Sequence, residues 1–314
     1  MSADVAIVIP TLRRPESLER AIRSALAQTG IEARLREIIV ADNDPQGSAR
    51  TTVECLSANA SIPVRWCHAP RPGVATARNR GLAETDAPLI AFLDDDEEAS
   101  PGWLSALLAA QAALQVDVVF GPIRGRVPPQ TGWSRDYLEH FFGREGPDAT
   151  QVIDHAYGCG NSLLVRATAL PGPVPFDVAA DQTGGEDDAL FTALAARGGT
   201  FGWAADAWVD EYAPPHRANL GYALRRAFAY GQTPCQIARS QGNWPGVVRW
   251  MVIGAGQLAI YGLAALALSM LRHPLRAQLL DRAARGAGKL LWFRGFEPKF
   301  YGSHELERLN QVEA

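Results

Sequence analysis

Three aspartates in succession, Asp94, Asp95 and Asp96, follow the apolar run PLIAFL, and two glutamates come directly behind them. Like charges 4 Å apart repel by about 1 kcal/mol in water and about 4 kcal/mol at an effective dielectric of 20. A strand end carrying three of them therefore needs a cation nearby. Oxygen-only ligands suit Mg²⁺ or Mn²⁺, which keep part of their water shell and bridge to phosphate oxygens. The plainer reading is a solvated acidic turn that caps a helix starting near Ser100-Pro101. Glu97 and Glu98 fit that plainer reading, as residues leading into the helix. The strand end favours the metal for Asp94, Asp95 and Asp96.

Three further clusters could carry chemistry. Asp42-Asn43-Asp44-Pro45-Gln46-Gly47 superficially matches a calcium loop, but Gln46 and Val53 stand where ligands are needed. An aspartate at a strand end can instead accept hydrogen bonds from a nucleobase or ribose, or form an Asx turn that caps the next helix. Gly73-Val-Ala-Thr-Ala-Arg78-Asn-Arg80-Gly81 opens a helix whose free amides, with Arg78, could face a diphosphate; Arg80 reads equally as solvated. Gly184-Gly185-Glu186-Asp187-Asp188 places carboxylates at another helix start, where the helix dipole favours their charge. A carboxylate so placed is a candidate general base, or only a cap. No GxSxG, HExxH, Walker or GxGxxG motif is present. Of the six histidines, His216 in YAPPHR is the one placed near these clusters by the order of segments.

The elements that must position these residues alternate. Strands are expected at 5–9, 37–41, 64–67, 89–93 and 116–120, and helices at 15–28, 48–57, 74–84 and 103–114. Such alternation argues for an α/β architecture with a mostly parallel central sheet flanked by helices. Ligands of open sheets bind at the carboxyl ends of the strands, and there stand Pro10-Thr11, the aspartates from Asp42 and those from Asp94. The expected division is a catalytic domain over 1–216 (a nucleotide-binding half over 1–120, an acceptor half over 121–216) and a basic, apolar helical region over 217–314.

Charge is uneven. Residues 1–214 carry 17 Lys and Arg against 29 Asp and Glu, while 215–300 carry 12 against 2. A basic, apolar C-terminal region points to an anionic lipid surface or an acidic partner. Within it, 250–271 is free of charge for 22 residues, long enough to cross a hydrocarbon core of about 30 Å. A single crossing would put the arginines that follow on the far side, against the positive-inside tendency. The preferred expectation is a peripheral or re-entrant region on the cytoplasmic leaflet. The four cysteines lack metal spacing and are expected reduced. The start of the chain lacks a signal-peptide pattern, so the expected location is the cytoplasmic side.

Together VAIVIPTLRRPESLERAIRSALAQT, EIIVADND, PGVATARNRGL, LIAFLDDDEEASPGWL, GCGNSLLVR and GGEDDALFTAL resemble the family 2 inverting glycosyltransferases of GT-A fold, in order over about residues 4–200. PPHRANLGYALRRAFAYG is similar to members in bacterial exopolysaccharide assembly. The resemblance implies a GT-A nucleotide-sugar-binding fold and hexosyl transfer with inversion. The donor is a nucleotide sugar, preferably UDP-linked; the acceptor is a saccharide or lipid-linked saccharide at the inner membrane of a bacterium. It implies Mn²⁺ or Mg²⁺ on the DxD aspartates Asp96 and Asp94, with Asp95 near the ribose. Pro10, Thr11, Arg13, Asp42 and Asp44 would hold the rest of the donor, and Arg78 would lie near its diphosphate. Asp187 would be the base, with Glu186 holding acceptor and Asp188 as the neighbouring alternative. The QxxRW signature of processive synthases is absent and Arg225-Arg226-Ala-Phe stands there, which implies single addition. The competing reading is a non-catalytic, nucleotide-sugar-binding scaffold subunit.

Overall fold

The computed structural model describes residues 4–31, 34–300, 302 and 306–308. His304, Glu305 and Glu313, part of the expected C-terminal region, lie outside the described residues. The described chain falls into two compact units. One holds the described parts of 1–124, 143–212 and 300–314; the other holds 125–142 and 213–299.

The first unit is built on strands β1 (Val5–Thr11), β2 (Leu35–Asp42), β3 (Val64–His68) and β4 (Leu89–Phe92), followed by the short β5 (Glu97–Ala99) and β6 (Val118–Phe120). β7 (Ile123–Arg126) straddles the boundary between units, and β8 (Gln151–Ile153), β9 (Ser162–Val165), β10 (Phe201–Trp203) and β11 (Val209–Tyr212) complete the set. The main sheet has the order β3-β2-β1-β4-β9-β6-β10-β8. β1 pairs in parallel with β2 and β4, β2 with β3, and β6 with β10; β9 runs antiparallel between β4 and β6. Helices α1 (Pro15–Leu26), α2 (Arg50–Ser57), α3 (Val74–Ala83) and α4 (Trp103–Leu114) connect the early strands; α6 (Arg166–Ala169) and α7 (Glu186–Ala196) come later.

The alternation of side chains along a strand explains why both faces are covered. Val5, Ile7, Ile9, Ile38 and Val40 join Leu18 and Ile22 of α1 and Leu104 and Leu107 of α4 in one core. Ala6, Val8, Ile90 and Phe92 join Ala75 and Leu82 of α3 and Leu190 and Phe191 of α7 in the other. Fully buried strands read as continuous apolar runs, and β1 and β4 do so.

One expectation fails. Glu97 and Glu98 do not lead into a helix: they form β5, antiparallel to β11. The alternation turns Glu97 and Ala99 inward and leaves Glu98 half-buried. The helix starts later, at Trp103.

The second unit contains α5 (Arg135–Phe142), α8 (Leu220–Ser240), α9 (Trp244–Met270) and α10 (Arg276–Leu290). α9 begins six residues before the charge-free stretch and therefore includes Arg249.

Candidate active site

The acidic turn after β4 is met by cations of the chain itself. β1 ends at Thr11, whose hydroxyl donates to Asp95 Oδ2 at 2.8 Å. Arg13 follows with φ 51, which turns two adjacent arginines to different targets. Arg13 Nε lies 3.1 Å from Asp44 Oδ1. Arg14 Nη1 donates to Asp95 Oδ1 at 2.9 Å and to Asp96 Oδ2 at 2.7 Å. Burial still raises the Asp95 carboxyl to about 6, with Arg14 opposing the shift. Burial likewise raises Asp94, opposed by Arg78. Glu97 is pushed well above the carboxylate range by burial and then by the charge of Asp94. It accepts from the amides of Asp94 at 2.8 Å and Asn161 at 3.2 Å.

The second strand end is closed tightly. Asp42 is fully buried and spends both oxygens: Oδ1 on the Asp44 amide (3.1 Å), Oδ2 on the Ala49 amide (2.9 Å) and the Trp66 indole (3.0 Å). This is the Asx-turn geometry at a helix start. Asp44 Oδ2 is buried with no hydrogen-bond partner, an acceptor whose desolvation needs a donor. Pro10 lies buried in β1 opposite Ala41 of β2.

The start of α3 corrects a second expectation. Its Thr76 amide is not open to a diphosphate, because a helix start takes the nearest anion and Asp181 is already there. Asp181 Oδ1 accepts from Thr76 N at 3.1 Å and Oδ2 from Thr76 Oγ1 at 2.6 Å. A Cβ on Gly73 would fall 1.9 Å from Asp181 Cγ, so only glycine permits this approach. Arg80 is exposed and pairs with Glu84 on its own helix. Arg78 is 4% exposed. Its Nη1 donates to Glu186 Oε1 and its Nη2 lies 3.3 Å from Asp94 Oδ1. That guanidinium joins the acidic turn to the start of α7.

At α7 the two glycines adopt φ 80 and φ 91, which lets the helix open directly on Glu186, Asp187 and Asp188. Glu186 is buried; burial lifts its carboxyl to about 7, with Arg78 opposing and Asp187 adding to the rise. Asp187 is half-buried, and Oδ2 accepts from the Cys159 amide at 3.0 Å. Its Oδ1 accepts from the Asp188 amide at 2.9 Å. Asp188 is exposed. The loop that faces Asp187 is set by Arg144, which donates to the carbonyls of Gly158 (2.9 Å), Gly160 (2.9 Å) and Asn161 (3.3 Å). A Cβ on Gly160 would stand 2.6 Å from Asp94 Oδ2 and 2.9 Å from Glu97 Oε1. The GCGN loop therefore packs between the acidic turn and the α7 start.

The structure thus gathers Asp94, Asp95, Asp96, Arg78, Glu186 and Asp187 at one edge. Thr11, Arg13, Asp42 and Asp44 line neighbouring strand ends of the same sheet. His216 belongs to the second unit. Arg14, Glu97, Arg144, Asn161 and Asp181 were missed by sequence reasoning; the second arginine of TLRR and the GCGN motif were the available signals.

Among the described residues no three His, Cys, Asp or Glu side chains form a ready metal cage. The donor set nevertheless fits a hard cation that brings its own waters and a diphosphate. It is all oxygen, and the Asp94 side chain keeps 34% exposure. Among the described residues, the carboxylates of Asp94, Asp95, Asp96, Glu97, Glu186 and Asp187 are faced by the guanidiniums of Arg14, Arg78 and Arg144.

The raised carboxyls have a consequence for stability. Asp95 (about 6) and Glu186 (about 7) hold protons in the folded chain that the unfolded chain has released. Their contribution is present below the ordinary carboxylate range and is lost as pH rises through those values. Thermal melts at about pH 5 and about pH 8 should show the lower midpoint at the higher pH. Glu186→Gln should flatten the difference, and a midpoint that rises with pH contradicts the assignment.

The model for "Glycosyl transferase family 2" matches residues 6–170. The succinoglycan biosynthesis protein ExoM of Rhizobium meliloti (strain 1021) is 33% identical over 306 residues, 96% of this chain and 97% of that protein. The glycosyltransferase AglE of Haloferax volcanii is 23% identical over 98% of this chain and 86% of its own. The solved structure of the mannosyltransferase PcManGT from Pyrobaculum calidifontis, in complex with GDP-Man and Mn²⁺, superposes with a TM-score of 0.62 at 15% identity. The match covers 93% of this chain and 88% of that one, a likeness of fold.

Proposed function

The chain belongs to glycosyl transferase family 2 and has the GT-A fold, a large, mostly parallel sheet flanked by helices; from that premise we propose that it moves a hexose from a nucleotide-sugar donor to a hydroxyl of a saccharide acceptor, with inversion, in the building of a bacterial polysaccharide. The observation that carries this reading is the joining of two carboxylate groups through buried Arg78, which contacts Asp94 and Glu186 together.

In this reading Asp96 and Asp94 would hold Mn²⁺ or Mg²⁺, which would offset charge on the departing diphosphate. Arg14 positions Asp95 and Asp96. Thr11, Arg13, Pro10, Asp42 and Asp44 shape the pocket for the nucleoside, with UDP the preferred donor base. The unpartnered Asp44 Oδ2 receives a donor hydrogen there after a small local shift. Arg78 faces the diphosphate from one side and keeps Glu186 in place beside the acceptor. Asp187 takes the acceptor hydroxyl proton on a carboxylate oxygen as that hydroxyl attacks the anomeric carbon opposite the leaving group. Glu186 is already engaged by Arg78 and Asp188 is exposed, which favours Asp187 among the three. The acceptor is lipid-linked, at the cytoplasmic face of the cell membrane. Support comes from α9, long and apolar enough by length and composition alone to cross a bilayer (mean hydropathy 1.8 over 18 of its residues), and from the basic charge of 215–300.

The test is a panel of nucleotide sugars with Mn²⁺ or Mg²⁺, scored for donor turnover and for transfer to membrane-extracted acceptor. One donor should support turnover, and chelation by EDTA should remove most of it. Donor binding without any turnover would assign the chain to the scaffold reading.

A further inference from the structure

We propose that α9 does not cross the bilayer but lies in the plane of an anionic membrane surface, with one apolar stripe immersed and α10 behind it on the water side. The proposal deepens the membrane placement given above and rests on it.

The exposed apolar residues of α9 centre on one face and spread onto its flanks, where Leu258 and Ile260 are exposed too. Val248, Val252, Ala255, Ala259, Leu263, Leu266 and Met270 recur every three or four positions, and all are apolar. Such spacing draws one stripe along a helix. Val252, Leu263 and Met270 are 67%, 71% and 76% exposed. Apolar surface of that extent marks a site of contact with a partner or a membrane.

The opposite face of α9 is committed to a charged helix. A Cβ on Gly254 would come 2.6 Å from Lys289 Cβ, and one on Gly286 would come 2.7 Å from the Leu258 backbone nitrogen. Further along, the Arg282 guanidinium lies 5.3 Å from the Tyr261 ring centroid. As numbers rise along α9 they fall along α10, so the helices run antiparallel. This places Asp281, Arg282, Arg285 and Lys289 level with residues 254–261, the middle of the 27-residue helix. If α9 spanned the membrane, that is the level that would sit at the bilayer centre, with those charges drawn in beside it. Charged side chains there are costly and rare. Lying in the plane, the same pair puts the stripe in the acyl boundary and keeps those charges, buried Lys289 among them, on the side of α9 away from it.

Charge complementarity identifies the surface. Arg249 and Arg272 are exposed at the two ends of the stripe, within a segment holding 12 basic and 2 acidic residues. Basic side chains beside an immersed apolar face suit anionic phospholipid headgroups.

The experiment uses the full chain and vesicles of phosphatidylcholine with or without phosphatidylglycerol. Flotation should occur with the anionic vesicles, weaken with salt, and fall by about tenfold or more in Val252→Asp/Leu263→Asp, with circular dichroism unchanged. For depth, Val248→Cys, Ala259→Cys and Met270→Cys are made singly on a Cys55→Ser background and spin-labelled. Equal, shallow depths at all three positions support the proposal. A deep label at 259 between two shallow ones would show a span and overturn it. Failure to float with either vesicle overturns it too, as does lipid-free self-association that the double aspartate variant abolishes, which would give the stripe to a second copy of the chain. Donor turnover measured in lipid-free buffer stays separate from these readouts, so loss of membrane binding and loss of the transferase reading are told apart.

Discussion

Asparagine in place of Asp187 should lower sugar transfer by roughly 10²–10⁴-fold, the range a positioned general base contributes, while donor affinity stays unchanged. Asparagine keeps the size of the side chain and one acceptor oxygen. That oxygen can still take the Cys159 amide hydrogen bond that holds the GCGN loop, so the loop and the fold should persist. What is lost is the capacity to take a proton. Arg14, Arg78 and the acidic turn are untouched by the change, so donor titration in the presence of metal should match wild type. Asp188→Asn is the internal control. Its side chain is exposed and its amide, which donates to Asp187 Oδ1 at 2.9 Å, is retained; transfer should stay within a few-fold of wild type. Full activity in Asp187→Asn with loss in Asp188→Asn would move the base by one residue. Equal loss of donor binding and transfer would instead place Asp187 on the donor side.

The parts of this site that were legible in the sequence are those governed by short-range pattern. β1 and β4 read as strands because both their faces are buried, which leaves continuous apolar runs that end at Thr11 and Phe92, and β2 reads as one from the run Ile38–Ala41 before Asp42. Residues just past such ends had to meet at one edge of the sheet, and they do. α7 was legible from two glycines followed by three acids. Glu97 was not, because its burial comes from β5 pairing with β11 far down the chain, and nothing within DDDEE separates one acid from the next. The choice between Arg13 and Arg14 was likewise hidden. It depends on the positive φ at Arg13, a conformation that arginine does not advertise. Asp181 could not be seen at all: it ends a short 3₁₀ helix, Val178–Asp181, in a stretch of weak pattern and acts on a helix start 105 residues earlier. The sequence suggested an open anion site at α3 because it shows the amides, not the carboxylate folded onto them.

Methionine in place of Arg78 should cost stability as well as activity, and the two losses should separate in a double variant. Arg78 is buried between Glu186 and Asp94 and lies against the rings of Phe92 and Phe176, with centroids at 5.9 and 5.7 Å. Methionine fills much of the same space without charge. Glu186 then remains buried with no cation, and breaking a buried pair by removing one partner costs about 3–5 kcal/mol. At roughly 2–4 °C per kcal/mol for a unit of this size, the melting midpoint should drop by about 10 °C. The loss should be smaller at about pH 5 than at about pH 8, since a carboxyl already lifted to about 7 is readily protonated in the fold. Adding Glu186→Leu removes the stranded charge, and most of the midpoint should return, because an apolar replacement of a buried pair is often neutral or stabilising. Transfer should not return, since neither the guanidinium facing the diphosphate nor the support for the acceptor is restored. A single Arg78→Met variant that melts with wild type would mean the pair contributes little to the fold. A double variant that regains transfer along with its midpoint would reduce Arg78 to scaffolding and remove it from the donor site.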